Sequence, residues 1–209
     1  MATLTGNDKR KASCKAVGGE KKKTGHKRED VFGKRFCDPT PTTNKPEADK
    51  TITNKELLAT LNAGIGPIKT GAVSLKSGNN IQFTLGNIPE ITDVKDKLAV
   101  MSQRSIWAKY LGKSESANPA SVLCYKHATG WTLFNMDDVL DFIVENATWR
   151  LLSTGRIKGD FADGSSKGYS QYLTYEYRPK KGHFLGANGN KGKPFIALLK
   201  ANLRSVDTQ

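Results

Sequence analysis

Between Lys9 and Arg28 the chain reads KRKASCKAVGGEKKKTGHKR: nine Lys or Arg, one acid (Glu20), and no Leu, Ile, Phe, Tyr or Trp. Fixing a residue's backbone costs on the order of 1–2 kcal/mol. With Val17 as its only β-branched apolar residue, this stretch has almost nothing to bury against that cost. It predicts a disordered arm and confines any folded body to the rest of the chain. A flexible arm bearing Lys9, Arg10, Lys11, Lys15, Lys21, Lys22, Lys23, Lys27 and Arg28 suits a polyanion, because phosphates release condensed counterions when lysines replace them. The same block also fits a localisation signal or a solubility tail.

The position of the charge narrows those alternatives. Of a net +13 over 209 residues, residues 1–50 hold 13 basic and 7 acidic side chains, a net +6. Residues 51–150 hold 10 and 9, and residues 151–209 hold 10 and 4. A nearly neutral middle between two basic ends fits a surface that both ends help to make positive. No apolar run approaches the roughly 20 residues that span a bilayer, so no membrane partner is expected. The N-terminus has no apolar signal region. Three widely spaced cysteines, Cys14, Cys37 and Cys124, fit reduced thiols better than a disulfide framework.

The expected organisation is an arm and Pro/Thr linker over 1–50, then a compact α+β domain over 51–209 with about four helices and several short antiparallel strands. Phe32 and Phe36 fall in the linker, where they either dock on the domain, dock on a neighbouring subunit, or stand as isolated aromatics. Thr53-x-x-Glu56 matches a capping box for a helix over about 54–63. Ala72–Leu75 and Ile81–Leu85 alternate about Ser77-Gly78-Asn79-Asn80, a hairpin signal. Apolar spacing predicts a helix over about 93–111 and another over about 136–152, with Asp137 and Asp138 early and Arg150 late to suit its dipole. Val122–Tyr125 and Trp131–Phe134 read as short strands, Tyr169–Tyr177 as a tyrosine-rich strand, and Phe195–Arg204, opened by Pro194, as a last helix.

A second basic cluster runs through Arg178, Lys180, Lys181, Lys191 and Lys193, with Tyr175 and Tyr177 on one strand face beside it. Tyrosines supply planar faces for unstacked bases, and the cations supply phosphate contacts. A Gly-rich loop over 186–192 also lets a backbone approach a phosphate chain. Tyrosine is equally a good strand residue that packs inward. Cys124-x-x-His127 offers only two metal ligands, with no second pair at finger spacing, so no metal and no cofactor are expected. Asp160, Asp163 and Glu176 supply carboxylates for a metal-dependent nuclease, although Asp163-Gly164-Ser165-Ser166 reads more simply as a turn. No Walker, Rossmann or Ser/His/Asp pattern is present, and no enzyme is expected.

This layout of basic arm, Pro-rich linker, compact domain and second basic surface resembles that of coat and nucleocapsid proteins of RNA viruses, by organisation and not by a residue-level motif. The resemblance implies packaging of RNA, in preference to DNA, by largely sequence-independent phosphate contacts and homo-oligomeric self-association, in a virion or host cytoplasm. The alternatives are a nuclear or regulatory nucleic-acid binder, with Lys9-Arg10-Lys11 and Lys21-Lys22-Lys23 as an import signal, and the small nuclease.

Overall fold

The computed structural model describes residues 27, 30–37, 49–86, 120–162, 170–178, 182–187 and 190–209; at 84–86, 170–172, 176–178 and 182–184 it describes backbone only. The fold is mixed α+β, with ten mostly antiparallel strands in two five-stranded sheets and four helices among these residues. Helix α1 spans 30–36. Then come β1 (Lys50–Thr51), α2 (Lys55–Ile65), β2 (Ala72–Ser77), β3 (Ile81–Gly86), β4 (Val122–Lys126), β5 (Trp131–Asn135) and α3 (Met136–Asn146). The chain closes with β6 (Thr148–Leu151), β7 (Ile157–Phe161), β8 (Ser170–Arg178), β9 (Gly182–Ala187), α4 (Gly192–Asn202) and β10 (Val206–Thr208).

The first sheet has the order β1-β2-β4-β5-β10, with β2 and β4 parallel and the other pairs antiparallel. The second, β3-β9-β8-β7-β6, is antiparallel throughout. Strand alternation divides the first sheet between two cores. Val73, Val122, Cys124, Trp131 and Leu133 join Phe32 and Phe36 of α1 and Leu57, Leu61 and Ile65 of α2. Leu123, Tyr125 and Phe134 join the second sheet, through Phe83, Ile157, Phe161, Leu173, Tyr175 and Leu185. Apolar residues of α3 and α4 complete that second core. β4 and β5 are therefore buried on both faces, which explains their nearly unbroken apolar sequences.

Four expectations change. Residues 30–37 belong to the folded body, so it begins well before residue 51. Phe32 is fully buried and its ring lies 5.1 Å from Phe36 and 5.6 Å from Trp131. The Phe36 carbonyl accepts from both Thr53 N and Asn54 N, tying the end of α1 to the start of α2. The cap of α2 is Asn54, whose side chain accepts from Leu57 N at 2.8 Å, one residue beyond the Thr53 expected.

The strands flanking Ser77–Asn80 exist, yet they do not form a hairpin. β2 is already paired on both edges, by β1 and β4, so β3 has no place beside it and joins the other sheet. Finally, α3 stops at Asn146 and not near 152. Thr148–Leu151 is extended and pairs with β7, because Trp149 and Leu151 continue a helical apolar spacing while packing as strand residues. The expected helix over 93–111 lies outside the described residues.

Candidate nucleic-acid interface

Of the basic residues singled out by sequence, Lys9, Arg10, Lys11, Lys15, Lys21, Lys22, Lys23, Arg28, Lys180 and Lys181 lie outside the described residues. Lys27 is exposed. Tyr177 and Arg178 pair through their backbones with His183 and Gly182 on β9, and their side chains lie outside the description. Tyr175 is a correction. It has no exposed surface and is the largest fully buried side chain of the main core, so it cannot stack on a base. Its strand propensity was used for packing.

Lys191 and Lys193 sit at the start of α4. Lys191 is the N-cap residue, without a side-chain cap bond, and Lys193 lies exposed in the first turn. The Gly-rich loop before them does not open a backbone cradle. Gly192 N donates to Asn79 O at 2.7 Å and Asn190 N donates to Asn80 Oδ1 at 3.2 Å. A Cβ on Gly192 would stand 2.7 Å from Asn79 O, so this glycine permits two chain segments to touch. Tyr125 Oη holds the same turn by donating to Gly78 O at 2.8 Å. Pro194 has no N–H, so cation side chains, and not backbone amides, are what this end of α4 offers an anion.

The helix start is electrically unusual within its own molecule. α2 opens with Asn54 and Glu56, and α3 with Asn135, Asp137 and Asp138. α4 has no acid in its first turn and two lysines there instead. Each cation at the positive end of a helix dipole costs about 0.3–1 kcal/mol when no anion compensates it.

Other cations were not singled out by sequence. Lys34 and Arg35 are exposed on α1, with the Arg35 guanidinium 5.3 Å from the centre of the Phe36 ring. Arg150, assigned by sequence to a helix dipole, instead bonds Asp160 from β6, Nε to Oδ2 at 2.6 Å. Ser153-Thr154-Gly155, a turn sequence between two alternating segments, was the signal for this hairpin. Acids gather elsewhere. Asp138, Asp141 and Glu145 of α3, with Asn202 and Leu203, line a cleft of about 370 Å³. Burial raises the pKa of Asp138; Arg204, 4.0 Å away, opposes that, while Asp141 and Asp137 add to it. A polyanion is repelled from that side.

The nuclease residues do not converge. Asp160 pairs with Gln171, whereas Tyr175 pairs with Ile157, so Glu176 lies about four residues further along the sheet from Asp160, roughly 13 Å. Asp163 lies outside the described residues. Cys124 is sealed in the helix-side core, and burial, then its neighbour Cys37, pushes its thiol pKa up. His127 Nδ1 lies 3.3 Å from Thr129 Oγ1, beyond the strand end. Among the described residues no three His, Cys, Asp or Glu are grouped to hold a metal, and no helix is long and apolar enough to cross a membrane. No family model matches the sequence, and neither a curated protein nor a solved structure is recognisably similar to it.

Proposed function

We propose that the protein is a non-enzymatic nucleic-acid-binding structural protein that packages RNA as a coat or nucleocapsid protein, through phosphate contacts and self-association, in a virion or host cytoplasm. The observation that carries the reading is the opening of α4, where Lys191 and Lys193 occupy positions the other two eleven-residue helices give to acids. A bound phosphate chain converts that unfavourable placement into a favourable one. The arm, with nine cations in Lys9–Arg28, adds charge that reaches along the same polymer. RNA is preferred because of the layout shared with coat and nucleocapsid proteins.

The test is salt dependence. Binding of a labelled oligouridylate should weaken linearly in log affinity against log salt, with a slope of about −0.7 per phosphate contact on a single strand. Lys191→Gln with Lys193→Gln should flatten the slope by about 1.4. Negative-stain imaging with RNA should show particles or filaments. Binding indifferent to salt, or only small discrete complexes, would refute phosphate contact and packaging respectively.

A further inference from the structure

We infer that the β6–β7 hairpin is a second, pre-oriented phosphate grip, in which Arg150 and Lys158 contact the backbone of a single strand and Asp160 positions Arg150. This rests on the nucleic-acid reading and adds a site to it. Arg150 and Lys158 are direct partners across the antiparallel pair, so two cations share one face at the closest cross-strand spacing. Like charges placed so are destabilising, and an anion between them reverses the sign. β6 is the last strand of its sheet, at the margin. Arg156 is exposed at the turn that joins the two strands. That turn is tightly built: Leu152 N donates to Arg156 O at 2.8 Å, and Gly155 takes φ 74°, a conformation that favours glycine.

Asp160 gives the hairpin its order. Its side chain is 5% exposed, whereas that of Arg150 is 44% exposed. Its Oδ2 takes the Arg150 Nε, and its buried Oδ1 has no hydrogen-bond partner. A buried carboxylate held this way depends on its arginine, so the pair resists separation. A guanidinium gripped through Nε turns its planar terminal end away from the carboxylate, the geometry suited to a phosphate. Sequence alone placed affinity in the arm and in 178–193, and this hairpin belongs to neither.

The experiment uses the full chain and labelled oligouridylate across a salt series. Arg150→Gln with Lys158→Gln should flatten the slope by about 1.4, two lost contacts on a single strand. Should Arg150→Gln fail to fold, Arg156→Gln with Lys158→Gln leaves the Arg150–Asp160 pair intact, and the same flattening is expected. Asp160→Asn separates positioning from charge. It raises the net charge by one, so mere electrostatics predicts tighter binding, whereas loss of orientation predicts weaker binding, absent when Arg150 is already Gln. An unchanged slope in the hairpin variants, beside a wild-type chain that binds with salt dependence, overturns this inference and spares the packaging reading. A wild-type chain without salt-dependent binding overturns both. Tighter binding by Asp160→Asn overturns the positioning role.

Discussion

Replacing Phe32 by alanine tests whether the segment counted as linker is structural. The Phe32 ring is fully buried, in contact with Phe36 and Trp131. A phenylalanine buries on the order of 200 Å², which at about 25 cal/mol per Å² is worth roughly 5 kcal/mol. Alanine keeps part of that, and the lost ring contacts and remaining cavity add to the cost, so about 4 kcal/mol is expected, within the usual range for Phe→Ala. The neighbouring Val31 is 54% exposed on the same helix, and Val31→Ala should change stability by no more than about 0.5 kcal/mol. Urea unfolding followed by tryptophan fluorescence and far-UV circular dichroism reads both. With a slope of about 2 kcal/mol per molar urea, Phe32→Ala moves the midpoint down by about 2 M and Val31→Ala by at most about 0.25 M. Equal midpoints for the two variants would refute the packing of α1 on the first sheet.

Three further outcomes follow from single contacts. Gly192→Ala should destabilise by about 1–3 kcal/mol, since its Cβ would press on the Asn79 backbone, 2.7 Å from the carbonyl oxygen; thermal melts showing no loss would mean the 78–80 turn and the start of α4 are not in contact. Asn54→Ala should cost about 1 kcal/mol and Thr53→Ala a few tenths, in urea titrations; the reverse order would restore Thr53 as the cap. Asp207 is held below the ordinary carboxylate value by its hydrogen bonds, from Lys200 first and Thr132 second. Because its folded pKa is depressed, its stabilisation is present above the unfolded carboxylate value and lost as pH falls through the folded one. The stability gap between wild type and Asp207→Asn should therefore be full at pH 7 and close on acidification below about 4; a gap that widens in acid would contradict those contacts.

Element type was legible from local pattern. The strands β4 and β5, the cap-and-apolar run of α2, the first turn of α3 and the last helix were all anticipated, because period and capping are encoded in neighbouring residues. Pairing was not. Leu75 and Phe83 flank a good turn sequence, but whether their strands meet depends on β1 and β4, contributed from elsewhere in the chain. Trp149 and Leu151 fit helical spacing, and only the partner strand β7 decides that they are extended.

The candidate site divides the same way. That two basic ends flank a neutral middle is a property of composition, and no fold can alter it. Which of those side chains reach solvent was settled by packing: Tyr175 went into the core, Gly192 was spent on a chain crossing, and Arg150 was drawn from a supposed helix end to Asp160 on the next strand. Charge and local periodicity are carried by residues a few positions apart, whereas exposure and partnership come from contacts between segments distant in sequence, so the first could be read along the chain and the second required the assembled sheets.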